Sequence, residues 1–158
     1  MEQLTRKEKI QIKINKIKEK NEINSLKNLR FIKFADEEII NNIRPVLKSI
    51  NCYEAKPEKI IVKTDNREIN LENLKNVIEK NQMSGNWIIP SELTEKWYEV
   101  KTDDIKSGVQ ELFELYGEDY FTIVLKETKI LIDVFWDESY EGICSKLGIY
   151  CIYIKKIY

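Results

Sequence analysis

Two neighbouring segments, YFTIVL at 120–125 and ILIDVFWD at 130–137, constrain the fold most strongly. Both are rich in β-branched and aromatic residues, which favour β-strands. The stretch ETK between them predicts a turn, so the two segments predict a β-hairpin. Along the second strand, apolar residues alternate with a mixed set of residues. This alternation predicts one face packed on helices and one face that carries aromatic and acidic side chains.

Helical patterns are interspersed with strand patterns along the rest of the chain. A T-x-x-E capping box at Thr5 predicts an N-terminal helix. Asp36 is expected to cap a second helix, and Thr102 to cap a third helix over 103–116 that ends at Gly117. Further strands are predicted at 29–34, in WYEVK at 97–101 and in the final segment IYCIYIKKIY. The sequence therefore predicts an α+β fold, with an antiparallel sheet packed with several helices.

A second hairpin is predicted over 58–71, where EKIIVKT and REINL flank the dipeptide DN. Asn70 is then expected to cap the helix that follows it. With 158 residues, the chain has the size of one domain that buries about 70% of its unfolded surface. We expect a basic helical segment at 1–28, followed by a single α+β domain at 29–158.

The composition excludes several kinds of active site. The chain contains no histidine, so Ser-His-Asp catalysis, Cys-His catalysis and His/Cys zinc sites are impossible within it. Its five glycines form neither of the common phosphate-binding loops. Three cysteines far apart in the sequence, Cys52, Cys144 and Cys151, do not suit an all-cysteine metal site.

Carboxylate chemistry is the enzyme class that the composition still allows. If one strand joins Asp119 to Glu127, the two residues lie about 26 Å apart, and Asp133 lies about 13 Å from Asp137 on the next strand. Paired catalytic carboxylates sit within about 10 Å of each other. We therefore predict no enzymatic activity, no metal site and no cofactor.

The net charge of −1 conceals an uneven distribution. Residues 1–34 carry ten lysines and arginines against four glutamates, whereas residues 90–141 carry five bases against fourteen acids. The acidic segment also contains Trp97, Trp136 and several tyrosines. Aromatic side chains anchor interfaces, and opposite charges accelerate the encounter of two proteins. This combination predicts an acidic aromatic surface for a basic partner.

The predicted contact residues of this surface are Glu118, Asp119, Asp133, Trp136, Asp137, Glu138 and Tyr140. Because an unpaired buried carboxylate is costly, Asp133 is expected either at the surface or paired with a lysine such as Lys126. The predicted function is protein binding, as in an inhibitor of the immunity or antitoxin type that neutralises a basic toxic enzyme such as a nuclease. One competing interpretation is that 130–137 form an inner strand that tolerates an acid, with Asp137 or Ser139 capping the helix that follows. Another is that these acids only keep the protein soluble.

The alternative function is nucleic-acid binding through the N-terminal segment. Its lysines could contact phosphates, and Phe31 and Phe34 could stack on bases. Base readout favours arginine, however, and residues 1–34 contain only Arg6 and Arg30. Nucleic acid is therefore the less favoured partner.

The sequence also predicts the compartment. The charged N-terminus lacks the apolar core of a secretory signal, and no uncharged run approaches the roughly 18 residues that a membrane-spanning helix needs. An odd number of cysteines fits a reducing environment. We expect a cytoplasmic protein that does not associate with membranes.

Overall fold

The computed structural model of the chain describes residues 4–50, 60–117, 120–137 and 149–157. The elements in these ranges are α1 (Arg6–Ser25), β1 (Arg30–Phe34), α2 (Glu37–Ile50), β2 (Ile60–Thr64), α3 (Arg67–Asn81), β3 (Asn86–Pro90), β4 (Trp97–Lys101), α4 (Ile105–Tyr116), β5 (Tyr120–Leu125), β6 (Ile130–Asp137) and β7 (Ile149–Lys156). The strands pair in an antiparallel manner into one sheet, in the order β1-β4-β3-β5-β6-β7-β2. The predicted α+β class is confirmed.

The predicted hairpin lies at the centre of this sheet. Tyr120 pairs with Phe135 and Leu125 pairs with Ile130, so β5 and β6 are in register from the turn to their open end. Lys129 closes the turn with a left-handed backbone (φ 53°). Strand β7 pairs with β6 along its other side, which confirms the strand predicted at the C-terminal end of the chain.

One face of the sheet packs against α3, α4 and the last turns of α1. Trp87 and Tyr98 are fully buried there, together with the alternate residues Phe121, Ile123, Ile132 and Val134 of the hairpin. The helices contribute Leu74, Ile78, Val109, Leu112 and Phe113. Burial of this many apolar side chains is the main favourable term in folding.

Helix α2 covers part of the opposite face. Ile40 and Ile43 of this helix pack against Ile88, Val124 and Leu131 of the sheet. The prediction that one face of the second hairpin strand packs on helices is confirmed by Ile132 and Val134. The other face, predicted to be mixed, is also partly covered, because Leu131 packs against α2. Among the described residues, no helix is long and apolar enough to cross a membrane.

The second predicted hairpin is wrong. Residues 60–64 form β2 as expected, but REINL begins helix α3 instead of a second strand. Asn66 caps this helix, because its side chain accepts hydrogen bonds from the backbone N–H groups of Glu68 and Ile69. Asn70, the predicted cap, lies one turn inside α3 and is fully buried.

The helix predicted over 103–116 is α4, and its N-terminal cap lies two residues later than predicted. Asp104 caps α4 by accepting a hydrogen bond from the Ser107 N–H at 3.1 Å. Thr102 instead donates its hydroxyl hydrogen to the carbonyl oxygen of Asp104. Gly117 ends the helix with a φ of 75°, in the region that favours glycine, as the sequence predicts.

Candidate interaction surfaces

The residues predicted for the acidic aromatic surface either belong to β6 or stand close to the open ends of β5 and β6 in the sequence. Four of these residues fall outside the described part of the chain: Glu118, Asp119, Glu138 and Tyr140. Asp137 is the last residue of β6, and the preceding Trp136 is half-buried. Because Tyr120 pairs with Phe135, the start of β5 and the end of β6 are neighbours in the sheet.

Asp133 does not belong to an exposed surface, which corrects its predicted position. Its side chain is only 1% exposed and accepts a hydrogen bond from the Thr122 hydroxyl at 2.5 Å. The predicted pairing with Lys126 is also wrong, because Lys126 forms an ion pair with Glu99. Burial raises the pKa of Asp133 to about 6, and hydrogen bonds from Thr122 and Tyr120 oppose this shift.

Four of the nine other described acids in residues 90–141 form ion pairs or at least two hydrogen bonds within the fold. The carboxylate of Glu111 accepts three backbone hydrogen bonds at 2.6 Å, from Lys27, Asn28 and Leu29. Glu99 is paired with lysines, Asp104 caps α4 and Glu127 accepts hydrogen bonds from Ser84 and Asn86. Asp104 and Glu127 are nevertheless exposed, as are four further acids: Glu92, Glu95, Asp103 and Glu114.

The aromatic residues of the same segment are divided between the interior and the surface. Trp97 and Tyr98 are buried on opposite faces of the sheet. Tyr116 is half-buried and donates its hydroxyl hydrogen to the carbonyl oxygen of Pro90. Tyr120, by contrast, is 45% exposed at the open end of the hairpin, where it pairs with Phe135. Because side chains alternate along a strand, Trp136 lies at the same end but on the other face of the sheet. Among the described aromatic residues of this segment, Tyr120 is the exposed one.

Buried glutamates attach the N-terminal helix to the sheet. Glu22 accepts hydrogen bonds from the Tyr98 hydroxyl at 2.8 Å and the Ser91 hydroxyl at 2.6 Å. Its second oxygen accepts the backbone N–H of Glu92 at 2.7 Å. Burial and the carboxylate of Glu22 raise the pKa of Tyr98 to about 12. One turn earlier, Glu19 forms an ion pair with Lys96 at 3.4 Å.

The sequence interpretation missed this attachment, although a signal for it was present. Glu19 and Glu22 lie on the same helical face as Ile23 and Leu26, the two apolar residues of α1 that pack against the core. A carboxylate on the apolar side of a helix needs hydrogen-bond partners from the structure that it faces.

On the opposite face of α1, a row of three isoleucine side chains is exposed to solvent. Ile10, Ile14 and Ile17 are 48%, 41% and 61% exposed. At 3.6 residues per turn, these three side chains fall within about 60° around the helix axis. We call them the isoleucine row. They point roughly 180° away from the anchoring residues Glu19 and Leu26.

Exposed cations surround the isoleucine row. Helix α1 contains seven of them: Arg6, Lys7, Lys9, Lys13, Lys16, Lys18 and Lys20. None forms an ion pair with any residue that the structure describes. The acids of the helix are engaged elsewhere, because Glu8 closes the capping box with Thr5 while Glu19 and Glu22 face the sheet. The outer face of α1 is therefore apolar at its centre and positive at both edges.

The two rings predicted to stack on bases are already in contact with other side chains. Phe31 packs edge-to-face against Tyr98 with ring centroids 5.7 Å apart, and against Phe34 at 5.4 Å. The ammonium group of Lys96 lies 4.3 Å from the centroid of the Phe34 ring, as in a cation–π contact. These contacts leave less aromatic surface for a base than the sequence alone suggests.

A cleft of about 210 Å³ lies between the N-terminal end of α2 and the hairpin turn. Its floor is apolar, and its rim carries lysines on one side and acids on the other. The lining residues that define it are Asp36, Glu38, Ile88, Val124, Lys126 and Lys129. Because both charges occur at the rim and Lys126 already pairs with Glu99, the cleft does not select one class of ligand.

The described residues form an α+β domain. Its two candidate interaction surfaces are the open end of the β5–β6 hairpin and the outer face of α1. Within the described ranges, no group of three or more cysteines and acids is placed to hold a metal ion. Comparisons with protein-family models, curated proteins and solved structures found no match.

Proposed function

We propose that this chain is a protein-binding module that contacts a basic partner through the open end of the β5–β6 hairpin. The observation that carries the proposal is the exposure of Tyr120, 45%, at a position where β5 begins beside the end of β6. Trp136 lies half-buried at the same end of the hairpin. Large rings at a surface supply contact area with little loss of conformational entropy, so they anchor interfaces.

The chain connectivity supports a basic partner. Glu118 and Asp119 directly precede Tyr120 in the sequence, and Asp137 and Glu138 directly follow Trp136. The strand ends that these two acidic pairs adjoin in the sequence are neighbours in the sheet. Negative charge near the exposed ring of Tyr120 would favour a positively charged protein, such as an enzyme that acts on phosphate-rich substrates.

An inhibitor of the immunity or antitoxin type is the particular role that we propose. Because Asp133 is buried, we exclude it from the proposed contact residues. The remaining contact residues are those at the ends of β5 and β6 or directly beside these ends in the sequence. In this role Asp133 is buried in the sheet and makes no contact with the partner. A cytosolic location belongs to the same proposal, and the odd number of cysteines in the chain is compatible with it.

The test compares two charge reversals of equal size. The variant Asp137→Lys with Glu138→Lys changes the proposed surface, whereas Asp103→Lys with Glu114→Lys changes two exposed acids elsewhere in the same segment. Each variant and the unchanged chain are immobilised and exposed to an extract of the source cells, and the retained proteins are identified by mass spectrometry. Binding of the retained protein is then measured with purified components.

We expect a basic protein that binds the unchanged chain and the control variant, and binds the surface variant several-fold more weakly. Thermal stability should be nearly the same for all three proteins, because reversal of an exposed charge usually changes it little. Equal loss of binding in both variants would contradict a site at the hairpin end. Unfolding of the surface variant alone would show that Asp137 and Glu138 are structural residues.

A further inference from the structure

The isoleucine row on α1 has the spacing of a coiled-coil seam. Ile10, Ile14 and Ile17 are separated by four and then three residues, which matches successive d, a and d positions of a heptad. In the same frame, Asn21 occupies the next a position. A narrow row of this kind suits contact with one other helix, whereas a helix that lies in a protein core has a wider apolar face.

The positions beside the seam carry only positive or neutral side chains. In the heptad frame, the e and g positions of α1 are Arg6, Gln11, Lys13, Lys18, Lys20 and Ser25. These positions decide the choice of partner, because charges there face charges on the opposing helix. Two copies of α1 would place lysine beside lysine across the seam, so pairing with a second copy of this chain is disfavoured. Glutamates in a partner helix would be complementary to these lysines.

The fold holds this face in position. The Thr5–Glu8 capping box fixes the first turn, and Glu22 joins the other end of α1 to Ser91 and Tyr98. Since the anchoring residues and the isoleucine row lie on opposite sides of the helix, docking on the sheet leaves the row facing water. A helix that is already formed loses less conformational entropy on binding than a disordered segment.

The pattern of the face distinguishes a helix from other anionic partners. Nucleic acid would use the lysines but would leave three isoleucines at the centre of the contact without a complementary surface. Helices that lie on membranes bury a broad apolar face, commonly with tryptophan or phenylalanine, and α1 contains neither residue. Both the apolar row and its positive edges are satisfied by an amphipathic helix with acidic edges.

We propose that the outer face of α1 binds an amphipathic helix of another protein, with an apolar seam flanked by glutamate or aspartate. The isoleucine row packs into that seam, and Lys13, Lys18 and Lys20 pair with the acids beside it. This surface is separate from the hairpin end, so the two proposals stand independently. With only three apolar residues in the seam, we expect micromolar affinity and a clear dependence on salt.

The experiment uses the full chain and two synthetic probe peptides of about three heptads. Both peptides have leucine at their a and d positions; one has glutamate at e and g, and the other has lysine there. Binding is measured by fluorescence anisotropy. The variant Ile14→Asn is compared with Ile12→Asn, because Ile12 and Ile14 are both 41% exposed but lie on different faces of α1. Circular dichroism verifies that both variants keep their helix content.

We expect the acidic peptide to bind and the basic peptide not to bind. Ile14→Asn should weaken binding about tenfold, as loss of one seam residue does, and Ile12→Asn should change it by less than about twofold. An equal effect of the two substitutions, or no binding of the acidic peptide, would overturn the proposal.

The same variants also test the other candidate ligands of the outer face of α1, which are a lipid surface, nucleic acid and a second copy of the chain. Vesicles with and without phosphatidylserine, short single- and double-stranded oligonucleotides, and sedimentation of the protein alone are measured in parallel. If Ile14→Asn selectively abolishes binding to vesicles or oligonucleotides, or dissociates a dimer, while the acidic peptide binds no more tightly than the basic one, the face serves that other occupant and the proposal is wrong.

Discussion

The acidic segment at 90–137 and the basic helix α1 use their charges in opposite ways. In the acidic segment, Glu99, Asp104, Glu111, Glu127 and Asp133 are held by hydrogen bonds or ion pairs inside the chain. In α1, the three acids are similarly engaged, but the seven cations have no ion-pair partner among the described residues. Half of the ten described acids in residues 90–137 are therefore engaged within the fold by an ion pair or by two or more hydrogen bonds, whereas the cations of α1 are exposed.

This difference shows that a charge count along the sequence does not give the charge of a surface. A carboxylate accepts up to four hydrogen bonds and is well suited to backbone N–H groups left without partners at helix and strand ends. Lysine reaches water even when its aliphatic stem is covered. Acidic side chains thus form hydrogen bonds within a fold more easily than lysine side chains do.

The largest expected effect concerns Glu111. Glu111→Ala leaves the backbone N–H groups of Lys27, Asn28 and Leu29 without their acceptor, so we expect the free energy of unfolding to fall by about 3 kcal/mol. Glu114→Ala on the same helix is the control and should change it by less than about 0.5 kcal/mol, because Glu114 is exposed. Urea unfolding measures both. Equal free energies of unfolding for the two variants would contradict the structural role of Glu111, because Glu111 would then behave like an exposed acid.

The next effect concerns Asp133 and pH. Its pKa is about 6 in the folded chain and near 4 when unfolded, so the folded state binds the proton more tightly. Asp133 therefore favours folding while protonated, and this contribution is lost as pH rises from about 4 through about 6. Two pKa units correspond to about 3 kcal/mol. Asp133→Asn should remove this decline and make the variant the more stable protein at about pH 8.

Unfolding curves collected across this pH range provide the measurement for Asp133. An unchanged decline in the Asp133→Asn variant would assign the pH dependence to other carboxylates. Loss of stability in the variant at all pH values would show that the ionised Asp133 carboxylate is itself stabilising.

A smaller effect is expected at the junction between α1 and the sheet. Tyr98→Phe removes one of the three hydrogen bonds that Glu22 accepts, and should cost about 1 kcal/mol. The substitution should also increase cleavage in α1 by a protease under native conditions, because α1 would separate from the sheet more often. Unchanged cleavage would mean that Glu22 does not control the docking of the helix.

The parts of the fold that were predicted correctly are those with long, regular patterns. The β5–β6 hairpin follows from alternation over two full strands, and α4 follows from apolar spacing over three turns. REINL was wrongly assigned to a strand because its two apolar residues are separated by one polar residue. A segment of five residues is too short for this spacing to distinguish a strand from a helix. The choice was decided by Asn66, whose side chain caps the backbone of α3.

The candidate surfaces were predictable only in part. The sequence shows that Ile10, Ile14 and Ile17 share a face, but two sets of apolar residues lie on α1, and only the tertiary structure decides which set is buried. Packing of Ile23 and Leu26 on the core settles this choice. The burial of Asp133 depends on its neighbours across the sheet, which a pattern within one strand does not contain.

The most direct test of the central claim is a charge exchange across the α1 seam. Lys13→Glu with Lys20→Glu is titrated with the glutamate-flanked and the lysine-flanked peptide, and Lys16→Glu, on another face of α1, is the control. We predict that the double variant loses the acidic peptide and gains the basic one, while the control keeps the preference of the unchanged chain. Retention of the acidic peptide by the double variant would contradict the claim that the displayed cations of α1 select its partner.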